Sequence, residues 1–308
     1  MRDLRSAVDD YLTIRRRLGY KLEREGSLLP EFADFVEREG SDVITARLAV
    51  AWATRPVGEK RRWHAARLGM VRRLASFVRT LDPRTEVPSA ELLPYRHVRS
   101  SNAYLYSAAD VLALMDAARR FPGTLKRHTY ATLLGLLATT GMRVGEAIAL
   151  DRGDFNESED LLVVRHAKFG KSREVVLHPT TVAALRAYAR VRDRAIPQTR
   201  GPSFFVSQSG TRLIYQNVHI AFLVLVRKAG LWERRPRRPR IHDLRHSFAV
   251  RTLIDWYREG VDVEARLPRL STYLGHVCPS TTYYYLSAAS ELVGLAAGRL
   301  ERALGELP

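Results

Sequence analysis

Over residues 1–80 the apolar positions recur at the spacing of amphipathic helices: Leu28, Phe32, Phe35 and Val36, then a run from Val43 to Trp52, then a long stretch from Glu59 to Thr80. In the last stretch Trp63, Leu68, Val71, Leu74 and Phe77 interleave with Lys60, Arg61, Arg62, Arg67, Arg72, Arg73 and Arg79, so one face can pack while the other meets phosphates. The periodicity lapses from Leu81 to Tyr106, where Pro83, Pro88 and Pro94 fall, and this stretch reads as a linker. Ser107 then opens a helix, with Asp110 at the capping-box position and Val111, Leu112, Leu114 and Met115 continuing it. Residues 128–150 are strongly apolar and predict a helix pair or one kinked helix, broken at Gly141, with Arg143 emerging from the turn. Two short β-prone runs, Leu161 to Val164 and Glu174 to Leu177, flank FGKS and predict a hairpin with Lys168 near its tip. Ala288 to Leu304 predicts a helix whose Leu292, Val293, Leu295, Leu300 and Leu304 are available for burial, on its own domain or on a neighbouring subunit. The expected fold class is mainly α with a small antiparallel β-sheet. Two domains are expected: residues 1–98, all-helical and including the linker, and residues 99–308, mixed α/β.

Charge adds a partner. Lys and Arg number 50 against 33 Asp and Glu, a formal charge of +17 over 308 residues. A surface so biased attracts polyanions before any contact forms, which makes double-stranded DNA the leading partner. The arginine-rich run ERRPRRPRI at 233–241 leads directly into His242 and suits contact with a phosphate backbone. Cys278 is the single cysteine, so no internal disulfide and no cysteine-based zinc cluster can form. MRDLRSAVDDYL places acids and arginines where an export signal needs apolar residues, and the longest apolar segment, around Tyr130 to Met142, is far short of the roughly 20 residues that span a bilayer. A cytoplasmic protein without a membrane span is expected.

Six residues carry candidate chemistry. Arg143 stands in TTGMRVGEAIAL, Lys168 in HAKFGKSREVVLHP, His242 and Arg245 in RIHDLRHSFAV, His276 in YLGH and Tyr285 in STTYYYLS. A phenol has a pKa of about 10, so only roughly one in a thousand is ionised at neutral pH, and a nucleophilic tyrosine needs a base or a cationic setting. His242 can take or orient its proton, while Arg143 and Arg245 can each present a planar donor fork to the non-bridging oxygens of a phosphate. Lys168 can protonate a leaving 5′ oxygen, with Lys171 as its rival, and His276 adds a hydrogen bond to the phosphate. No clustered Asp/Glu set of the kind that holds two Mg²⁺ ions is apparent, so no metal and no other cofactor is expected. Any of Tyr283, Tyr284 and Tyr285 could be the nucleophile on these grounds. HDLRH also matches the paired-histidine pattern of zinc hydrolases, but Arg245 inside it opposes a divalent ion and no third ligand is evident; His246 reads as a packing or hydrogen-bonding residue. GKS at 170–172 lacks the upstream glycine of a phosphate-binding loop, since position 165 is Arg.

In this order the boxes resemble the tyrosine recombinase (phage integrase) family over most of residues 107–290, while the N-terminal helices match only as a generic core-binding domain. The resemblance implies that the nucleophile follows the LGH histidine by nine positions, which selects Tyr285. It also implies a covalent 3′-phosphotyrosine, bond energy conserved without ATP, and strand exchange by a tetramer on DNA. Glu146 resembles the acidic residue that supports the first arginine. The segment between Arg245 and His276 is several residues longer than is usual in the family. The implied function is site-specific DNA recombination, as an integrase or transposon recombinase. A type IB topoisomerase would share the chemistry without exchanging partners, and a non-catalytic DNA-binding accessory protein of the same fold is the contrasting class.

Overall fold

Four helices build the first unit, Met1–Arg99: α1 (Leu4–Arg17), α2 (Glu23–Arg38), α3 (Ala46–Thr54) and α4 (Arg61–Val78). The computed structural model describes residues 3–94, 103–165, 172–233, 238–276, 280–287, 292 and 294–297. In this unit Leu29, Phe32, Leu48, Trp52, Val71 and Leu74 form a continuous core, with the Phe32 ring edge-on to Trp52 at 5.2 Å. Two expectations change here. Arg67, which the periodicity of α4 assigns to the charged face, is only 4% exposed; its guanidinium lies 3.6 Å above the Trp52 ring and donates to Trp52 O at 3.1 Å. Helical spacing alone cannot separate a cation that covers an aromatic face from one that meets water. The first part of the expected linker is also folded onto this unit. Glu86 N donates to Ile44 O at 2.8 Å, its carboxylate accepts from Ala46 N at 2.7 Å, Thr85 is buried, and Val87 and Leu93 pack on the core. The prolines end α4's helical pattern without freeing the chain, because the residues between them supply the hydrogen bonds.

The second unit, Ser100–Pro308, begins with α5 (Ala108–Arg119), whose Ser107 and Asp110 form the reciprocal capping box that the sequence predicts. Next come α6 (Thr124–Thr140) and α7 (Val144–Ala149), the predicted pair, broken where Gly141 takes a left-handed conformation at φ 61°. The sheet is antiparallel in the order β1 (Phe155–Asn156), β2 (Leu161–Val164), β3 (Arg173–Val176), with Val164 opposite Arg173 and Leu161 opposite Val176. The two-residue β1 is too short to leave a sequence pattern, and β3 opens at Arg173, one residue before the predicted run. Helices α8 (Pro179–Ala195), α9 (Tyr215–Lys228), α10 (Asp243–Arg258), α11 (Val263–Leu274) and the single turn α12 (Ser280–Tyr283) complete the unit. The main core gathers Leu134, Leu137, Leu162, Val175, Tyr188 and Phe205 between helices and sheet. A second cluster, with Leu253, Leu267, Leu274, Tyr285 and Leu292, joins α10 and α11 to the turn that follows α12. Of the predicted helix from Ala288 to Leu304, Leu292 is buried in its own unit, and 294–297 are helical; its other residues lie outside the described ones.

Candidate active site

Three successive main-chain carbonyls at the C-terminal end of α11 each receive a different arginine. Arg173 Nε donates to Tyr273 O at 2.9 Å, Arg245 Nη2 to Leu274 O at 2.7 Å and Arg143 Nη2 to Gly275 O at 3.2 Å. The last carbonyls of a helix have no partner inside it and carry its negative end, so guanidinium groups are favoured there. The helix stops because Gly275 turns left-handed, at φ 70° and ψ 44°, and the chain then delivers His276. A Cβ on Gly275 would stand 2.7 Å from Arg173 Nη1. Glycine therefore meets two demands at once, a positive φ and room for an arginine.

Each arginine comes from a different element. Arg143 is the N-cap of α7, and Glu146, one turn in, accepts its main-chain N–H at 3.0 Å and its Nη1 at 2.7 Å. Arg173, on β3, grips the same carboxylate with Nη2 at 2.8 Å and Nη1 at 3.2 Å. Burial alone would raise the Glu146 carboxyl, but the hydrogen bonds and charges of Arg173 and Arg143 outweigh it and hold it at about 2. Arg245 lies in the first turn of α10, is 2% exposed, and donates its Nη1 to Gly141 O at 2.8 Å. Burial, followed by the charge of Arg143, lowers its guanidinium to about 10. Arg143 is 32% exposed at its side chain, so this pair is one buried cation and one that solvent reaches.

The α10 turn is itself pinned. Asp243 accepts Arg240 Nη2 at 2.7 Å and Arg240 N at 2.9 Å, Ser247 Oγ donates to Asp243 O at 2.8 Å, and Tyr106 N donates to Ser247 Oγ at 2.7 Å. Tyr285, on a 3-10 turn (Tyr284–Ser287), is 3% exposed, and its phenol interacts favourably with the Arg245 charge. Its ring centroid is 5.3 Å from His246 and 5.9 Å from His276, the latter stacked at 23°; His246 in turn meets His242 edge-on at 4.9 Å. His276 Nδ1 lies 2.7 Å from Thr282 Oγ1, which orients the ring. Burial lowers all three imidazoles, His246 and His276 to about 4, and the Arg245 guanidinium adds to it at each. Neutral imidazoles thus face a phenol whose other neighbour is a cation. A monoanionic phosphate entering beside Arg143 and Arg245 would relieve both their mutual repulsion and their desolvation.

The phage integrase family profile matches residues 106–291, which include every side chain just described and no residue of the first unit. An integrase/recombinase named y4rB from Sinorhizobium fredii (strain NBRC 101917 / NGR234) is 42% identical over 98% of this chain and 98% of its own length, and y4rE from the same strain is 37% identical over 97% and 96%. The chain belongs to the phage integrase family. Among solved structures, a Tn1549 transposon integrase in complex with transposon right end DNA superposes at a TM-score of 0.66, 16% identical, covering 98% of this chain and 99% of that one. A XerH recombinase in a post-cleavage complex superposes at 0.64, 17% identical, covering 89% and 78%. These two show the fold.

For this phage integrase family member, Arg143, His242, Arg245, His276 and Tyr285 come together as one group, while Lys168 and its rival Lys171 lie outside the described residues. Tyr283 is 52% exposed and differs in this from Tyr285. Among the described residues no three His, Cys, Asp or Glu side chains could hold a metal ion, and the aspartate of HDLRH is taken by Arg240. His246 packs, as expected, but it packs on Tyr285 itself. Arg173 was missed. The trace it leaves in the sequence is an arginine opening a β-prone run, which reads equally well as an exposed strand residue. No helix among the described residues is long and apolar enough to cross a membrane.

Proposed function

We propose that this tyrosine-type site-specific recombinase cuts a DNA strand with Tyr285. The phenolic oxygen attacks the phosphorus, the bond from phosphorus to the 5′ oxygen breaks, and the product is a 3′-phosphotyrosyl ester plus a 5′-hydroxyl strand. His242, which reaches Tyr285 through the intervening His246 ring, takes or orients the phenolic proton. Lys168 gives the leaving 5′ oxygen its proton. Arg143 and Arg245 hold the non-bridging oxygens, and His276 adds a donor. Because the ester keeps the energy of the broken bond, a 5′-hydroxyl from a second duplex can reverse the step without ATP. Four copies on two duplexes would supply the partners for exchange, with the basic first unit helping to hold the DNA.

The observation that carries this reading is the placement of Arg143 and Arg245 on adjacent carbonyls of one helix end, with the buried Tyr285 ring stacked on the His276 that follows them. A nicked suicide substrate, from which the cleaved 5′ strand diffuses away, should trap the protein covalently on DNA. Tyr285→Phe should abolish the adduct and Tyr283→Phe should leave it. Undiminished adduct from Tyr285→Phe overturns the assignment. Specific binding with no adduct on any substrate favours the accessory protein, and plasmid relaxation without strand exchange at low protein concentration favours a topoisomerase.

A further inference from the structure

We propose that Arg173 is a positioning residue for the phosphate clamp: it fixes Glu146, and through it Arg143, against the C-terminal carbonyls of α11. The proposal rests on Tyr285 chemistry as described above.

All three guanidinium nitrogens of Arg173 are committed inside the protein, Nε to Tyr273 O at 2.9 Å and both Nη atoms to the two oxygens of Glu146 at 3.2 and 2.8 Å. Its side chain is 10% exposed, as is that of Glu146. Three of its five N–H groups are thus engaged inside the protein, one on each nitrogen, and Glu146 balances its charge there. Arg143 differs, because its contacts are one Glu146 oxygen and one carbonyl, and it is three times as exposed, at 32% against 10%. Glu146 is thus a shared bearing between an arginine that solvent reaches and one that it does not. Without Arg173, a buried carboxylate would keep a single guanidinium partner and would compete with an incoming phosphate for Arg143. With Arg173 in place, the carboxylate is already satisfied, and Arg143 is oriented rather than neutralised.

The same residue couples elements distant in sequence. Arg173 lies on β3, Glu146 on α7 and Tyr273 on α11, so a single side chain sets the distance between the helix that carries Arg143 and the helix end that delivers His276. The hairpin has a second tie to α11, Tyr273 Oη donating to Val176 O at 3.2 Å. Removing Arg173 should therefore loosen the alignment while the strand stays docked. Lysine cannot replace it, since one ammonium cannot fork onto a carboxylate and also reach a carbonyl on the far side.

The experiment compares single-turnover adduct formation by wild type, Arg173→Ala, Arg173→Lys and Glu146→Gln on two suicide substrates. One carries the normal scissile phosphodiester and the other a methylphosphonate, which lacks the negative charge that the arginines hold. On the phosphodiester, Arg173→Ala should be slower by about 30-fold, less than the roughly 100- to 1000-fold for a lost preorganised donor because Arg173 acts through Arg143, with affinity for DNA changed by less than about twofold. Arg173→Lys should stay within about threefold of Arg173→Ala, for want of a fork. On the methylphosphonate the Arg173→Ala penalty should shrink to less than about threefold, and on an Arg143→Ala background Arg173→Ala should add almost nothing, because the two act as one unit. A merely structural arginine would slow both substrates equally, and that result overturns the proposal, as does a wild-type rate for Arg173→Ala. If Arg173→Ala does not fold, Arg173→Lys and Glu146→Gln carry the same two-substrate comparison. Loss confined to Arg173 variants concerns this inference alone; a wild type that forms no adduct removes the Tyr285 reading and this one with it.

Discussion

Two buried arginines, one in each unit, show how much of a site depends on company rather than burial. Arg67 is 4% exposed and Arg245 is 2% exposed, and each donates to main-chain carbonyls. Burial lowers the pKa of both. Around Arg67 stand the face of Trp52 at 3.6 Å and the carboxylate of Glu31 at 3.5 Å. Around Arg245 stand a second guanidinium, a tyrosine hydroxyl, and His242 and His276, whose pKa values burial lowers first and positive charge second. The first cation is balanced where it lies. The second is crowded by like charge, and that imbalance is what an anionic substrate can correct.

Methionine tests the difference most sharply, since it fills much of the same volume and carries no charge. Arg245→Met should lower the rate of adduct formation on the order of 100- to 1000-fold, as expected for a lost preorganised charge donor. Arg67→Met should leave the rate per folded molecule unchanged and shift stability by about 1 kcal/mol in either direction, because the lost contacts to Trp52 and to the half-exposed Glu31 are offset by relief from burying a charge. Single-turnover cleavage and urea unfolding measure the two effects. A large rate loss in Arg67→Met would erase the contrast.

The contrast was half legible in the sequence. Arg143, with Glu146 three residues on, and His242 with Arg245 stand in short boxes whose partners are local, and Gly275 announces the helix end that His276 follows. The break at Gly141 and the capping box at Ser107 were readable for the same reason. Arg67 and Arg173 were not, because what fixes them is far along the chain: Trp52 and Glu31 for one, Glu146 and Tyr273 for the other. The fold-back of residues 81–94 was hidden likewise, since its decisive bonds run to Ile44 and Ala46. Periodicity reports which face of an element is buried and says nothing of which distant group it meets.

Acid should affect the two units unequally. His246 and His276 sit at about 4 in the folded chain against 6.5 for a free imidazole, so between those values the unfolded chain binds more protons. Their contribution is whole above pH 6.5 and is lost as pH falls toward 4. Glu146, held at about 2 against 4.5, continues the loss below pH 4.5. Hydrogen exchange on the full chain should show α10 and α11 losing protection by several-fold over this window before α3 and α4 do; the opposite order would place the acid-sensitive balance in the first unit. DNA should oppose the histidine effect, because a phosphate raises an imidazole's pKa, so binding takes up protons and tightens as pH falls toward 4.

Salt gives the finest resolution of the pair. Each phosphate neutralised on duplex DNA contributes about 0.9 to the slope of log K against log salt. If Arg245 meets a phosphate, Arg245→Met should flatten that slope by about 0.9, a change of only about twofold in relative affinity for each doubling of salt. Arg67→Met should leave the slope unaltered, because its charge is spent on Trp52 and Glu31 and never displaces a counterion. Both titrations can be run at constant pH with the same duplex, so a difference in overall affinity cancels and the slope remains. Equal slopes for Arg245→Met and wild type would mean that the buried cation orients Tyr285 without reaching DNA, and would leave Arg143 alone to hold the phosphate.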